Sequence, residues 1–252
     1  MSKHRRVRVK HPHPLYEKIA GDIENKVPEE VLHSHFDGGS SHEIKSELRI
    51  RTQQIAIGFP MDELLFSKFL VNLLGLDWMP WDAFITTQST YLPDARNQIH
   101  SVFLEKTEAS HLLMLDSDVL PPPRLIETLM LHDKDMVGGW YRKKEKFGYK
   151  DTDGVVQITQ RPVVYDFIRE ENGVPIYAQR TFPGSGLEKV DGAGAGCWLM
   201  SRKVAEALGP KPYSMAQGAG EDLILCKKIQ DLGFEMWIDW NIAAAHCGVF
   251  FV

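Results

Sequence analysis

Cysteine is scarce in this sequence, and the cysteines that occur match no common framework. Cys197, Cys226 and Cys247 are the only three in 252 residues, an odd number with no Cys-x-x-Cys spacing. Disulfide-stabilised secreted folds need paired cysteines, and structural zinc sites use closely spaced ones. We therefore expect a protein of a reducing compartment, with neither a disulfide framework nor a structural zinc site.

Long apolar runs and a large excess of charge are missing as well. No stretch approaches the length needed to span a bilayer, and the first residues lack the apolar core of a signal peptide. The net charge is −5, with 43% hydrophobic and 25% charged residues, so composition gives no global argument for nucleic-acid or membrane binding. These features predict a cytoplasmic globular protein without a membrane span.

The first fifty residues differ in composition from the remainder of the chain. They open with a basic arm from Met1 to Lys10, carry many of the histidines, and include the linker-like stretch Asp37-Gly38-Gly39-Ser40-Ser41. We expect residues 1–50 to form a polar, basic and partly disordered extension. Residues 51–252 then form the folded domain.

Two aspartates follow a short apolar stretch. Leu112–Leu115 is bounded by prolines at 121–123 and reads as a strand buried on both faces. Asp116 and Asp118, two positions apart, project to the same side, where like charges repel unless a cation neutralises them. The pattern favours a divalent ion with oxygen ligands, although an aspartate after a strand also occurs as a turn former or helix cap.

Strand and helix patterns alternate from residue 54 onward, which is typical of an α/β fold. The predicted strands include Gln54–Pro60, Ala83–Thr87 and Met136–Tyr141, and predicted helices begin at Asp62 and Pro122. This rhythm predicts parallel pairing and right-handed crossovers. Gly138 and Gly139 in a buried strand indicate that something approaches the backbone closely. We predict a mostly parallel central sheet flanked by helices.

Another helix start carries an arginine. Asp94 is a plausible N-cap, which places Arg96 and Asn97 in the first turn beside exposed backbone N–H groups. Such a helix start suits phosphate or a nucleotide. An ordinary surface arginine is an equally acceptable interpretation of this segment alone.

The pattern changes between Arg142 and Lys189. Val163–Glu170 and Val174–Thr181 flank Asn172-Gly173, a hairpin signal within an insert where we expect substrate-specific structure. Val190–Met200 then returns to a buried strand whose glycines at 192, 194 and 196 resemble Gly-x-Gly-x-Gly. No helix opens directly after them, so we reject a dinucleotide site and expect a ligand-facing segment.

Acidic residues also open a late helix. Glu221 and Asp222 follow Gly220, so both lie near the positive end of the helix dipole, which lowers a carboxyl pKa. Adjacent helical residues point about 100° apart, so only one of them can face a given ligand. Asp222 is alternatively a helix cap, and His246, near the C-terminus, is alternatively a satisfied buried imidazole.

The order of these motifs resembles that of the GT-A glycosyltransferases. The likeness rests on Leu115-Asp116-Ser117-Asp118 and Gly220-Glu221-Asp222-Leu223, with a βαβ unit before them and His246 after them. It is strongest to the family-2 type and neighbouring nucleotide-diphospho-sugar transferases. It covers about residues 54 to 248 and implies a GT-A-like, Rossmann-related fold.

The resemblance implies a metal-assisted donor site. Asp118 would bind Mn²⁺ or Mg²⁺ bridging the donor pyrophosphate, and His246 would be a further ligand. Asp116 would contact the ribose, or the metal through water. Asp222 would be the catalytic base, beside Glu221. The other implied donor contacts are Phe59, Pro60, Arg96 and Asn97.

These inferences predict a glycosyltransferase of the hexosyltransferase type that acts with inversion. The donor would be a UDP- or GDP-sugar, the acceptor a glycan, a protein or a modified nucleic acid, and a homo-oligomer is compatible with the sequence. Two rivals remain. One is a catalytically inactive nucleotide-sugar or glycan-binding module. The other is a nucleotidyltransferase, which would need a glycine-rich basic loop where Met61-Asp62-Glu63 stands. Residues 1–50 would serve the acceptor or a second subunit.

Overall fold

The computed structural model describes residues 53–61, 65–89, 91–150, 152, 154 and 156–247. The N-terminal extension and the helix start predicted at Asp62 lie outside the described residues. The division of the chain at residue 50 therefore stays a prediction.

Thirteen strands are described, and most of them belong to one central sheet. In chain order they are β1 (Ile55–Met61), β2 (Ala83–Gln88), β3 (His111–Leu115), β4 (Val119–Leu120), β5 (Met136–Tyr141), β6 (Phe147–Lys150), β7 (Val156–Thr159), β8 (Val164–Glu171), β9 (Val174–Gln179), β10 (Leu187–Val190), β11 (Gly192–Ala193), β12 (Cys197–Ser201) and β13 (Met236–His246). The central sheet has the order β10-β13-β5-β12-β3-β1-β2, and β4 pairs with β13.

The sheet is mixed. β1 runs parallel to β2 and β3, and β13 runs parallel to β5, while β12 is antiparallel to both of its neighbours and β10 is an antiparallel edge. A parallel strand needs a crossover that returns the chain to the opposite edge. The insert after β5 instead brings the chain back near the edge where β5 ended, so β12 starts there and runs the other way. The predicted α/β class is confirmed, and the sheet is mostly parallel but not purely so, because β10 and β12 run against the other strands of the sheet order.

Helices cover both faces of the sheet. In chain order they are α1 (Ser67–Leu74), α2 (Leu92–Lys106), α3 (Leu125–Leu131), α4 (Arg202–Leu208) and α5 (Glu221–Asp231). Side chains of α2, α4 and α5 share one core cluster, and those of α1 and α3 share the other. None of the described helices has the length and apolar content to cross a membrane.

Strand β3 lies in the middle of both core clusters. Leu112 and Met114 pack on the side of α2, while Leu113 and Leu115 pack on the side of α1, and all four are at most 1% exposed. Each fully buried aliphatic side chain of this size stabilises the fold by about 1.5–3 kcal/mol. The prediction of a strand buried on both faces is confirmed, and this rigid strand carries the two aspartates at its end.

Three sequence-based boundaries are confirmed closely. Strand β1, strand β5 and the hairpin of β8 and β9 lie where the patterns predicted them. At the hairpin tip Asn172 and Gly173 have φ angles of 52° and 77°, as a type I′ turn requires. β11 pairs with β8, so the insert forms a small sheet of its own.

The predicted start of α2 is wrong. The helix begins at Leu92, with Tyr91 as its N-cap residue, so Asp94 lies inside the first turn and is not the cap. Pro93 explains the shift, because its fixed φ angle and missing N–H suit the first helical turn. Arg96 consequently lies beyond the free N–H groups, and its side chain is buried.

The single strand predicted from Val190 to Met200 is also wrong. Its residues divide among the end of β10, β11 and β12, which pair with β13, β8 and β3 respectively. The glycines let the chain change partners within a few residues. The expected close approach at Gly138 is explained by β12, since a Cβ atom there would lie 2.5 Å from the Cys197 carbonyl oxygen.

Helix α3 receives its N-terminal cap from a distant residue. Asp77 accepts hydrogen bonds from the backbone N–H groups of Ile126 (3.0 Å) and Glu127 (2.6 Å). The N-cap residue itself, Arg124, makes no side-chain cap and has a φ of 60°. A carboxylate at this position satisfies free N–H groups and complements the helix dipole.

We expect Asp77→Ala to lower the free energy of unfolding by about 1–2 kcal/mol, the usual effect of losing a capping side chain. Asp77→Asn keeps one acceptor oxygen and should lose less. Urea denaturation measures both variants, and the exposed Glu105→Ala in α2 is the control, expected within about 0.5 kcal/mol of the parent. Equal stability of Asp77→Ala and the parent would contradict the capping role.

Candidate functional site

The motifs predicted to carry chemistry meet at one edge of the central sheet. β1, β2, β3, β5 and β13 all point the same way, because β3 and β5 are both antiparallel to β12. Their carboxyl ends therefore share one edge. Asp116 and Asp118 follow β3, Lys144 follows β5, and His246 ends β13. Such an edge is where open α/β sheets bind ligands.

Pairing between β4 and β13 brings His246 to Asp118. His246 lies opposite Val119, and the backbone N–H of Cys247 donates to the Asp118 carbonyl oxygen at 2.7 Å. Across this pairing, His246 Nε2 lies 3.5 Å from Asp118 Oδ2. Two residues far apart in the sequence are thus held side by side by backbone hydrogen bonds.

The ring of His246 has a defined orientation. Its Nδ1 lies 2.8 Å from the carbonyl oxygen of Arg142, and its ring packs edge-on against Tyr141 at 5.1 Å. A carbonyl oxygen can only accept, so we assign the proton to Nδ1. Nε2 then faces the carboxylate of Asp118, to which it donates a hydrogen bond when it also carries a proton. Metal-binding histidines are commonly held by a carbonyl in this way.

A lysine that the sequence interpretation overlooked completes this cluster. Lys144 Nζ lies 2.5 Å from Asp118 Oδ2, on the oxygen that also faces His246. Burial acts to raise the pKa of Asp118, but the hydrogen bonds and charges of His246 and Lys144 outweigh burial and hold that pKa below its usual value. The sequence signal that could have identified Lys144 is the run of cationic residues directly after β5, at the sheet edge where the motifs meet.

The residues present fit a divalent ion in part. Two cis ligands that each lie about 2.1 Å from an ion are about 3.0 Å apart, close to the Asp118–His246 separation. Water and donor phosphate oxygens commonly fill the other positions around Mg²⁺ or Mn²⁺. Among the described residues no group of three or more His, Cys, Asp or Glu side chains has metal-site spacing. Asp118 and His246 lie side by side and Asp116 is directed elsewhere, so the binding of one ion by these residues stays a prediction.

Asp116 is directed toward Arg96. Arg96 Nη2 lies 2.6 Å from Asp116 Oδ1, while Nη1 donates to Glu221 Oε1. Arg96 is only 2% exposed and Glu221 8%. Burial acts to lower the pKa of Arg96, but the charges of Asp116 and Glu221 raise it above the ordinary guanidinium value. Both described partners of Arg96 are carboxylates, and its role as a nucleotide contact stays a prediction.

Asn97 is occupied by the backbone of a neighbouring loop. Its Oδ1 accepts from the Tyr213 N–H and its Nδ2 donates to the Tyr213 carbonyl oxygen, each at 2.8 Å. This two-point contact fixes the segment that leads into α5. Contact of Asn97 with the donor stays a prediction. Its observed contact positions the loop at Tyr213, a role that the sequence did not suggest.

Asp222 begins α5 next to Glu221 and is partly buried. Its Oδ1 accepts from the backbone N–H of Leu223 at 2.8 Å. Burial, followed by the charge of Glu221, raises its pKa to about 6. The expected lowering by the helix dipole is wrong, because desolvation and like-charge repulsion exceed the dipole and Arg96. The charge of Asp222 also contributes, after burial, to raising the pKa of Tyr165 on β8 to about 12.

Gly196 makes room for the carboxylate of Asp116. A Cβ atom on Gly196 would lie 2.6 Å from Asp116 Oδ2 and 2.8 Å from the Tyr141 hydroxyl. The Gly196 N–H donates to the Tyr141 hydroxyl at 3.1 Å, and the Asp116 N–H donates to the Gly196 carbonyl at 3.0 Å. The glycine-rich segment therefore serves the acidic site through backbone contacts.

Phe59 and Pro60 lie among the last residues of β1, which ends one residue later than predicted, at Met61, and both are buried. Phe59 is 8% exposed and packs edge-on against Phe69 at 5.5 Å. Their described surroundings are those of core residues. Contact with a nucleotide base stays a prediction for both.

Open space flanks His246 on two sides. One cavity of about 280 Å³ is lined by Trp140, Arg142, Gln160, Ala243–Ala245 and His246. Another of about 510 Å³ is lined by Phe66, Ser67, Lys68, Leu120 and Ala245–Cys247. These volumes give a ligand access to His246, which lies next to Asp118.

Comparison with known proteins gives a likeness in fold. No protein-family model matches the chain, and no curated protein matches it either. Among solved structures it is similar to A197 from STIV, with a TM-score of 0.53 and 17% identity over 78% of this chain and 87% of that one. It is also similar to GalNAc-T7 crystallised with UDP, GalNAc and Mn²⁺, with a TM-score of 0.49 and 10% identity over 78% of this chain and 43% of that one.

At these identities the likeness concerns the fold alone. The described topology, a mixed sheet between two layers of helices, is consistent with the GT-A-like class predicted from the sequence. The chemistry of this chain must be inferred from its own side chains.

The Asp116–Arg96–Glu221 bridge predicts a large, site-specific effect on stability. Arg96→Met leaves two carboxylates without their shared cation, so we expect the free energy of unfolding to fall by about 3 kcal/mol or more. Arg180→Met is a matched control, because Arg180 also bridges two carboxylates, Asp166 and Glu188, but its side chain is 20% exposed against 3% for Arg96.

For that more exposed bridge we expect a loss of about 1 kcal/mol or less. Denaturant unfolding of the parent and both variants at neutral pH measures the difference. If both variants lose a similar free energy of unfolding, the burial of the Arg96 bridge does not increase its contribution to stability.

Proposed function

We propose that this protein is a metal-dependent glycosyltransferase. It would transfer a sugar from a nucleotide-diphosphate sugar to an acceptor hydroxyl, with inversion at the anomeric carbon. The donor would be a UDP- or GDP-sugar. The acceptor would be a glycan, a protein or a modified nucleic acid.

One observation carries the proposal: motifs distant in the sequence are joined by direct contacts at one sheet edge. Arg96 links Asp116 to Glu221, and β-pairing sets His246 beside Asp118. Asp222 follows Glu221 at the start of α5. Carboxylates for a cation and a raised-pKa carboxyl for proton transfer therefore share one region, as group transfer from an anionic donor requires.

Asp118 and His246 would hold the divalent ion. Bound there, the ion would act as a Lewis acid toward the diphosphate leaving group. The protein's contribution is orientation: the Arg142 carbonyl fixes the imidazole, and the Cys247 N–H fixes the backbone of Asp118. Asp116, held by Arg96, would face the ribose or a water molecule near the ion.

Asp222 would act as general base. In the transfer step the acceptor oxygen bonds to the anomeric carbon, and the bond from that carbon to the phosphate oxygen breaks with its electrons on the diphosphate. The hydroxyl proton moves to Asp222. A base with a pKa of about 6 is largely ionised at neutral pH yet still basic enough to accept a proton. Glu221, paired with Arg96, would help to orient Asp222 and the acceptor.

We expect Asp118→Asn to weaken Mn²⁺-dependent binding of UDP or GDP by about tenfold or more, because the charged ligand is lost while the side-chain shape remains. Calorimetric titration with and without Mn²⁺ measures the effect. The matched control is Asp135→Asn, which removes one charge at the opposite end of β5, where Asp135 pairs with Lys203 and Ser201. Unchanged binding by Asp118→Asn would remove Asp118 from the metal site.

We expect Asp222→Asn to bind the donor nucleotide within about twofold of the parent but to transfer sugar at least about a hundredfold more slowly. Asn caps a helix about as well as Asp, so a purely structural role predicts little change. Asp231→Asn in the same helix is the control. Near-parental turnover by folded Asp222→Asn would favour the inactive binding module over an enzyme.

The same residue sets the pH dependence. A base must be deprotonated, so the parental kcat/KM should fall about tenfold per pH unit below pH 6. A folded-state pKa raised from 3.8 also means that ionised Asp222 reduces stability as pH rises through 6, by about 3 kcal/mol at most. Asp222→Asn should therefore be more stable than the parent at pH 8 and lose this advantage near pH 4.

A further inference from the structure

Asp118 Oδ2 has a cation against it in the described structure, the ammonium of Lys144. The Nζ–Oδ2 distance is 2.5 Å, while His246 Nε2 approaches the same oxygen to 3.5 Å. A divalent ion shared by Asp118 and His246 would need that oxygen. Two cations on one carboxylate oxygen repel each other, so the ammonium must move when the ion binds.

The backbone of Lys144 is fixed, but its side chain is not enclosed. The Lys144 carbonyl accepts from Gln160 Nε2 at 3.0 Å, and the neighbouring Lys143 N–H donates to the Arg161 carbonyl at 2.8 Å. The Lys144 side chain is 46% exposed. A four-carbon stem on a held backbone lets the ammonium swing by several ångströms without refolding the segment.

The surroundings favour an anion as the next partner of that ammonium. Lys144 lies in the basic run Arg142-Lys143-Lys144-Glu145-Lys146, where Glu145 is already paired with Lys143 at 2.9 Å. Arg142 and His246 line the same cavity of about 280 Å³. An ammonium released from Asp118 would stay near Arg142 and the ion, and so within reach of a diphosphate bound to that ion.

We infer that Lys144 is a donor-diphosphate-binding residue that rests on Asp118 until a divalent cation replaces it there. This inference rests on the proposed function and deepens it. Lys144 would leave the carboxylate when the ion binds and would donate instead to a phosphate oxygen, so that a charge-assisted hydrogen bond replaces the lost one. Nucleotide and ion then bind cooperatively. Breaking the Lys144–Asp118 ion pair costs free energy, and the ligand that binds first lowers that cost for the second.

The test uses the full chain, MnCl₂ and UDP or GDP as probes, and three variants. Lys144→Met removes the charge but keeps the apolar stem, and Lys144→Arg keeps the charge. Lys143→Met is the matched control, since it removes the same charge one residue away, from an ammonium that pairs with Glu145. Free Mn²⁺ is measured by its paramagnetic resonance signal, and nucleotide binding by calorimetry.

Without nucleotide, Lys144→Met should bind Mn²⁺ about three- to fivefold more tightly than the parent, because its competitor is gone. With saturating Mn²⁺, the same variant should bind UDP or GDP about tenfold more weakly. Lys144→Arg should restore most of the nucleotide affinity, and Lys143→Met should stay within about twofold of the parent in both titrations.

The two halves are required together. Unchanged or weaker Mn²⁺ binding by Lys144→Met overturns the exchange, and unchanged nucleotide affinity overturns the phosphate contact. If the parent binds Mn²⁺ and nucleotide and Lys144→Met binds both equally well, this inference is wrong and the proposed function is unaffected. A parent that binds no Mn²⁺ removes both.

Discussion

The buried guanidinium of Arg96 is the interaction on which the candidate site depends. It lies between Asp116, at the end of β3, and Glu221, at the start of α5, and it is almost inaccessible to solvent. Burying two carboxylates that close together is unfavourable without a cation between them. One arginine on α2 thus sets the distance between the acid that follows the central strand and the helix that carries Asp222.

Around Asp116 and Glu221, which Arg96 holds together, the remaining groups of the candidate site are held mainly by backbone contacts. The β4–β13 pairing places His246, the Gly196 carbonyl holds the Asp116 N–H, and Asn97 anchors the loop before α5. Rigid backbone contacts of this kind pre-organise charged side chains at little further entropic cost. The ammonium of Lys144, on an exposed stem, is less enclosed than Asp118 and His246, which it accompanies.

The sequence predicted those parts of the molecule that depend on local pattern. Apolar runs located β1, β3 and β5, and Asn172-Gly173 located the hairpin, because burial and turn chemistry act over a few residues. The direction of β12 and the split of the segment from 190 to 200 depend on which strands are neighbours, which no local pattern records. The motif order singled out Asp118 and His246, which the structure places side by side, but it did not single out Lys144. The sign of the Asp222 pKa shift was missed because burial is a property of the folded chain.

The position of β12 has a consequence for how the chain folds during synthesis. Among the described strands, β1, β2 and β3 pair only with one another and with β12, so they can assemble as soon as β3 is complete. β5, entirely buried in the final sheet, has β12 and β13 as its neighbours, and both are made later. Until β12 and β13 have been synthesised, both edges of the apolar strand β5 are unpaired. Unpaired apolar strands are prone to aggregation. We expect the late, long-range insertion of β12 to limit the folding rate, since such contacts form slowly.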